Sequence, residues 1–176
     1  MSFLKNQEIY FTKLVPSRPD KNKLDPTKPN WNLQCRTTDK EMRKEWVEMG
    51  FRPRVVREDP ADEESKVLYY SINIRKNAIK VLNGVATPAA PVTVVNGKHE
   101  DVDPTSIGNG SIANIRLFRR DYELAGVKKV AYTLMGVQLI KHKVYISVPM
   151  EDFEDCETET VLPDAPNASS DSEDLY

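Results

Sequence analysis

The stretch "SIANIRLFRRDY", residues 111 to 122, alternates between two kinds of side chain. Ala113, Ile115 and Leu117 fall on one side of an extended chain, because successive side chains of a strand point in opposite directions. The opposite side carries Asn114, Arg116, Phe118, Arg120 and Tyr122. A period of two predicts a β-strand with one buried face, and the buried face requires a partner layer.

Further segments share this extended pattern. They are residues 8–15, 31–37, 66–75, 92–96 and 127–148, which bring the expected number of strands to about six. In residues 66–75, Leu68, Tyr70, Ile72 and Ile74 form one face. Asn96-Gly97 favours a hairpin, and Gly136 indicates a bulge within a long strand.

One helix is expected between Thr38 and Gly50. Thr38 and Glu41 match a capping box, and Gly50 is a typical C-terminal stop. Met42 and Trp46 recur at helical spacing and indicate a face that packs on the core. Short strands with turn residues between them and a single helix predict a small β-barrel or sandwich.

Charge divides the chain into two parts. The chain has 27 Asp and Glu and 25 Lys and Arg, and ten of the acids lie after residue 150, where Lys and Arg are absent. Residues 1–150 therefore carry a net charge of +8. Residues 150–176 combine low hydrophobicity with high charge, which predicts a disordered tail. The tail follows a domain of residues 1–149. A basic body with an acidic arm is typical of nucleic-acid-binding proteins, although a solubilising tail is the alternative.

The sequence offers little support for catalysis or for a membrane location. His99 and His142 lack an acid or nucleophile partner, and there is no Gly-rich phosphate loop. We therefore predict a protein that is not an enzyme and uses no cofactor or metal. No segment approaches the roughly 18 apolar residues of a membrane span. Cys35 and Cys156 are too far apart in sequence to indicate a metal site, which favours reduced thiols in a cytosolic protein.

Two strand faces combine cations with aromatic rings. Single-stranded nucleic acid needs both, because Lys and Arg follow the phosphates while rings stack on unpaired bases. The alternative for Phe118 and Tyr122 is a second core layer or a dimer contact. The predicted nucleic-acid-binding residues are Trp31, Arg36, Arg54, Tyr69, Asn73, Arg75, Lys76, Lys80, Arg116, Phe118, Arg120 and Tyr122.

Residues 66 to 146 resemble the phage single-stranded-DNA-binding proteins of the bacteriophage T7 type. The resemblance rests on "YYSINIRKNAI", "VVNGKHEDVDP" and "IGNGSIANIRLFRRDYELAGVKKVAYTLMGVQLIKHKVY" in the same order and spacing. It implies a mainly all-β fold, an OB-fold barrel of five to six strands with one inserted α-helix and a disordered acidic tail. It also implies sequence-independent binding of single-stranded DNA in phage DNA replication, recombination and repair, in the cytoplasm of the infected bacterium.

The same resemblance implies roles for particular residues. Tyr69, Asn73, Arg75, Lys76, Arg116 and Phe118 would line the DNA cleft. The tail would compete with DNA and recruit the phage DNA polymerase and helicase-primase, and the protein would self-associate as a homodimer. The expected partner-binding residues are Asp171, Glu173, Asp174, Leu175 and Tyr176. The usual last residue of the family is Phe, whereas here Tyr follows Leu.

Two other functions also suit a basic face. One is a structural or assembly protein that meets an acidic partner and never binds DNA. The other is an RNA-binding OB-fold chaperone, which would use the same stacking chemistry but recognise the 2′-hydroxyl.

Overall fold

The computed structural model describes residues 1–145, 157–159 and 161 of the 176-residue chain. Up to Tyr145 the chain belongs to one compact unit. Its elements in chain order are β1 (Ser2–Lys13), β2 (Asn30–Thr37), α1 (Lys40–Met49), β3 (Arg54–Arg57), β4 (Val67–Asn77), β5 (Ile79–Leu82), β6 (Val85–Pro88), β7 (Thr93–Asn96), a 3-10 turn (Pro104–Ser106), β8 (Ser111–Leu124) and β9 (Val127–Lys141). Within these residues, no helix is long and apolar enough to cross a membrane.

Seven strands form one sheet in the order β3-β4-β2-β1-β8-β9-β7. All neighbours in it are antiparallel except β7 and β9, which are parallel. Strands β4 and β9 also contact each other, although they are not neighbours in the sheet. Five neighbouring strands of this sheet, β4, β2, β1, β8 and β9, therefore curl into a partly open barrel, which is the architecture of an OB-fold.

The barrel interior holds the apolar faces of these strands. Ala113, Ile115 and Leu117 of β8 are fully buried, as the alternation in the sequence predicts. Ile9 from β1 and Leu33 from β2 join them in the same core.

Helix α1 follows β2, and its buried residue is Trp46. The indole Nε1–H donates to Gln7 Oε1 at 3.1 Å, which satisfies both polar groups inside the protein. Gly50 ends the helix with φ of 108°, as predicted. The predicted N-cap is wrong by one residue, since the side chain of Asp39, not Thr38, accepts a hydrogen bond from the backbone N–H of Glu41.

Three short strands, β3, β5 and β6, are not among the strands predicted from the sequence. Strands β5 and β6 form a separate hairpin whose turn is Asn83-Gly84, with φ of 50° and 78°. Both residues adopt a left-handed backbone conformation, which an Asn-Gly hairpin turn requires. The chain also turns back after Asn96, where the sequence predicted a hairpin. Only β7 is a strand there, and the segment after the turn pairs with it through an isolated bridge between Val95 and Asp101.

Two bulges change which side chains face the core. Around Gly136 the β8–β9 register moves from Arg116↔Gly136 to Leu117↔Leu134, which confirms the predicted bulge. Another shift lies between β3 and β4, beside Leu68. Leu68 is exposed, whereas Tyr70, Ile72 and Ile74 are buried, so the prediction that all four share one face is wrong for Leu68.

Candidate nucleic-acid interface

The outer surface of strands β2 and β4 carries a row of polar and cationic side chains. The register pairs Asn32 with Arg75 and Gln34 with Asn73, and all four alternate with buried neighbours. Gln34 Nε2 donates to Asn73 Oδ1 at 3.3 Å. We use the name β2–β4 face for the outer surface formed by these four residues together with Glu8, Tyr10, Phe11, Arg36, Arg54 and Tyr69.

Arg36 lies at the centre of an aromatic cluster on this face. Its guanidinium carbon is 4.3 Å from the ring centroid of Tyr10, 4.2 Å from that of Tyr69 and 5.1 Å from that of Phe11. Its Nε–H also donates to Gln34 Oε1 at 2.6 Å. Cation–π attraction and this hydrogen bond together hold the guanidinium in place.

A bulge in β1 brings Tyr10 and Phe11 to Arg36. Phe11 has φ of 50°, and the β1–β2 register shifts between Tyr10 and Lys13. The backbone N–H of Phe11 donates to Asn109 Oδ1 at 2.7 Å, which fixes the irregular conformation. Neither Tyr10 nor Phe11 is among the predicted nucleic-acid-binding residues. The consecutive aromatics in "EIYF" were the available indication, but alternation alone cannot locate a bulge.

Glu8 is the acid of this cluster. It lies opposite Arg36 in the β1–β2 register and accepts a hydrogen bond from the hydroxyl of Tyr10. That hydrogen bond is the main cause of a raised pKa for Tyr10, with burial second. Tyr10 is therefore neutral near pH 7, since its ordinary pKa is already about 10.

Arg54 adds a third cation to the β2–β4 face. Arg54 pairs with Ser71 in the β3–β4 register, and Arg36 pairs with the same Ser71 in the β2–β4 register. Both arginines are therefore on the same face of the sheet. Within residues 1–145, ion pairs form between Lys28 and Asp25 and between Arg119 and Asp121. The guanidinium groups of the β2–β4 face are not among these pairs, so within the described residues no carboxylate forms an ion pair with them.

The predicted residues of β8 lie on a different part of the barrel. Arg116 is opposite Phe3 of β1, and Phe118, one residue beyond Leu117, is 49% exposed. From Arg119 onward all side chains of β8 are exposed, and the chain turns at Ala125-Gly126. We call residues 119–129 the arm. Arg120 and Tyr122 lie on it, with the guanidinium carbon 5.5 Å from the Tyr122 ring centroid.

A groove of about 590 Å³ lies beside Arg116, on the outer surface of β1, β8, β9 and β7. Its lining includes Phe3, Lys5, Val95, Arg116, Gly136 and Gln138. Strand β8 is two positions from β2 in the sheet order. Strand β1 contributes to both surfaces, since Phe3 and Lys5 line the groove while Tyr10 and Phe11 lie near Arg36, but the two surfaces share no residue.

Three further predicted residues lie away from the β2–β4 face, from the groove and from β8. Trp31 is 3% exposed and donates its indole N–H to Val15 O at 3.0 Å, so it belongs to the core and its expected role at the surface is wrong. Lys76 faces away from Arg75 because the two are consecutive in β4, and burial lowers its pKa, with a smaller contribution from the charge of Lys80. Lys80 itself lies on the exposed β5–β6 hairpin.

The expected partner-binding residues of the tail, Asp171, Glu173, Asp174, Leu175 and Tyr176, lie outside the described residues. Among the residues that are described, no group of three or more His, Cys, Asp or Glu is arranged to hold a metal ion. Cys35 is free and buried in the core, and burial raises the pKa of its thiol.

Neither a protein-family model nor a curated protein matches this chain. Several solved structures are similar. The single-stranded DNA-binding protein from bacteriophage Enc34 in complex with ssDNA has a TM-score of 0.51 and 15% identity, covering 80% of this chain and 86% of that one. Its C-terminal truncation has a TM-score of 0.50 and 14% identity, covering 80% and 85%. The T7 protein gp2.5 has a TM-score of 0.49 and 11% identity, covering 91% and 99%.

The two Enc34 structures establish what kind of fold this is. At 14–15% identity the similarity concerns the backbone architecture. The predicted mainly β, OB-fold class with one inserted helix is confirmed, and with it the resemblance to phage single-stranded-DNA-binding proteins at the level of the fold.

Proposed function

We propose that this protein binds single-stranded DNA without sequence preference, through the β2–β4 face. The observation that carries the proposal is the half-buried Arg36 on the outer surface of the sheet, whose guanidinium carbon lies 4.3 Å from the Tyr10 ring centroid and 4.2 Å from that of Tyr69. Strands two and three of an OB-fold barrel are where such folds bind oligonucleotides, and β2 and β4 are those strands here.

The chemistry of this face suits an unpaired strand. Aromatic rings contribute roughly 1–3 kcal/mol for each base that stacks on them, and every base has a face to stack. Arg36, Arg54 and Arg75 supply charge for the phosphates. A duplex keeps its base faces covered, so the rings would give no advantage there. Because stacking and phosphate contacts ignore base identity, binding by this face is independent of sequence.

The similarity of fold supports this function. The Enc34 protein is a single-stranded DNA-binding protein whose structure was solved with ssDNA, and this chain shares 80% of its length with that structure. Within that context, the protein would act without catalysis or a cofactor. It would work in phage DNA replication, recombination and repair, in the cytoplasm of an infected bacterium, and would self-associate as a homodimer.

The domain of residues 1–149 and the tail of residues 150–176 would have opposing roles. Ten acids in the tail and a net charge of +8 in residues 1–150 favour competition between the tail and DNA. Asp171, Glu173 and Asp174 would steer a protein partner, and Leu175 and Tyr176 would anchor it. The proposed partners are the phage DNA polymerase and helicase-primase.

A binding assay with three probes of equal length tests the function. We expect fluorescence titration to give tight binding to oligothymidylate, weaker binding to the matched duplex, and affinity that falls as salt rises, because counterions are released. Preference for the matched RNA would favour the RNA chaperone. Failure to bind any of the three at low salt would contradict the proposal and favour the assembly protein.

Two truncations test the tail. Removal of residues 151–176 should tighten binding to oligothymidylate, since a competing anion is lost. Removal of Leu175 and Tyr176 alone should abolish binding to the polymerase and leave DNA affinity unchanged. If the long truncation weakens DNA binding, or the short one changes DNA and polymerase binding together, the proposed division of roles is wrong.

A further inference from the structure

The groove beside Arg116 combines an exposed aromatic ring with cations. Phe3 is 55% exposed and lies directly opposite Arg116 in the β1–β8 register. Lys5 follows Phe3 by two residues on the same side of β1, and His99 lies at the groove as well. Within the lining as described, no side chain is a carboxylate. The charge of the groove is therefore complementary to an anion.

Arg116 lies at the floor of the groove, where its neighbour on β9 is a glycine. Gly136 faces Arg116 across the β8–β9 ladder, and a Cβ on Gly136 would lie 3.5 Å from Arg116 Nε and 3.6 Å from Thr93 O. These are ordinary contact distances, so a larger side chain is tolerated by the backbone but would fill the floor. The glycine therefore keeps this part of the groove open.

The size of the groove restricts what it can hold. About 590 Å³ lies within the range of roughly 300–1,000 Å³ typical of small-molecule sites. An aromatic wall suits a planar base, and Lys5 and Arg116 suit the phosphate attached to it. A single nucleotide of a longer strand satisfies both requirements, whereas a purely apolar peptide would leave the cations unused.

We propose that this groove is a second subsite for the same DNA strand, in which a base stacks on Phe3 and its phosphate meets Arg116 and Lys5. The proposal rests on the proposed function, because the strand first occupies the β2–β4 face. It predicts that the groove contributes only when the strand is long enough to reach it across β1.

Two oligothymidylates of different length separate the surfaces in the full-length chain. One has about 6 nucleotides and the other about 16, within the range of roughly 4–16 that one OB-fold covers. Phe3→Ala should weaken binding of the long oligonucleotide by roughly 5-fold to 150-fold and leave the short one unchanged. Gly136→Val should act in the same way by filling the groove. Arg116→Gln should weaken only the long one and reduce its dependence on salt.

Matched controls exclude general effects. Leu24→Ala removes an exposed apolar side chain elsewhere, and Lys44→Gln removes one charge from α1. Neither should change either affinity, and Phe3→Ala should keep the unfolding temperature of the wild type, since Phe3 is largely exposed. Ultraviolet crosslinking adds a direct readout, because tryptic residues 1–5 should carry a nucleotide only with the long oligonucleotide.

The outcomes distinguish this proposal from the function on which it rests. If the wild type binds both oligonucleotides and the Phe3 and Gly136 variants bind both equally well, the groove proposal is wrong and the function stands. Equal loss on the short and the long oligonucleotide would also overturn it, because the groove would then belong to the first site. A wild type that binds neither would overturn both proposals.

Discussion

The β2–β4 face and the arm carry the same kinds of residue in very different surroundings. On the face, Arg36 contacts three rings and a glutamine side chain. On the arm, Arg120 contacts one ring, Tyr122, and residues 119–128 are all exposed. The same two residue types, arginine and tyrosine, are thus held by several contacts on the β2–β4 face and by few contacts on the arm.

The difference shows how a sheet surface becomes a binding site. A side chain that is already ordered loses little conformational entropy when a ligand arrives, whereas a free one must be immobilised at a cost of about 0.5–1.5 kcal/mol. The β2–β4 face is ordered in advance by its own contacts. We therefore expect it to supply most of the affinity for DNA, and the arm to supply a smaller part.

The largest expected effect concerns stability. Leu117 and Leu124 are both on β8, but Leu117 is fully buried in the barrel and Leu124 is exposed near the tip of the arm. Leu117→Ala should lower the free energy of unfolding by about 2–5 kcal/mol because it leaves a cavity. Leu124→Ala should change it by less than about 0.5 kcal/mol. Urea unfolding of the two variants measures both values.

The same two variants also test whether the arm is exposed to solvent in solution or covered by a second copy of the protein. A cost at Leu124 comparable to that at Leu117, together with a midpoint that depends on protein concentration, would mean that a second copy covers the arm. In that case the contrast between the two regions would be wrong in solution.

The next effect concerns the planar group of Arg36. Arg36→Lys keeps the charge but loses the flat guanidinium between the Tyr10 and Tyr69 rings. We expect a loss of about 1 kcal/mol in affinity for oligothymidylate, and about 2 kcal/mol for Arg36→Ala. Arg120→Lys on the arm is the control and should have almost no effect. If the Arg36→Lys variant and the wild type bind oligothymidylate equally well, only the charge of Arg36 contributes to binding and its planar shape does not.

The smallest effect concerns Glu8. Glu8→Gln removes a negative charge beside Arg36, so DNA affinity should rise by about 0.5 kcal/mol at low salt. It should also lower the pKa of Tyr10, because the contact with Glu8 is the main cause of its increase. In the wild type that contact is intact at neutral pH and is lost only as pH rises through the raised pKa. Spectrophotometric titration of the tyrosines, with Tyr10→Phe to assign the signal, checks this direction, and an unchanged titration would contradict it.

The sequence predicts the faces of the regular strands well. The period of two in residues 111–118 places Ala113, Ile115 and Leu117 inside and Arg116 and Phe118 outside, as observed. Gly50 and Gly136 also have the predicted roles, because a helix end and a bulge each favour glycine. These are local features, and local rules are enough to predict them.

Features that depend on irregular backbone are beyond such rules. Tyr10 and Phe11 approach Arg36 because β1 bulges at Phe11, held by Asn109 from a distant part of the chain. Trp31 and Lys76 are both among the predicted DNA-binding residues. In the structure they pair with each other on the inner side of β2 and β4, away from Arg75. A change of one residue in position moves a side chain to the other face of a sheet.

The most direct test of the central claim compares matched pairs of substitutions on the two regions. Arg36→Ala with Tyr69→Ala alters the β2–β4 face, and Arg120→Ala with Tyr122→Ala alters the arm by the same two residue types. Affinity for oligothymidylate is measured for both double variants and the wild type at one low salt concentration. We predict a loss of about 2–4 kcal/mol for the first pair and less than about 1 kcal/mol for the second. Equal losses for the two pairs, or a larger loss for the arm, would contradict the account.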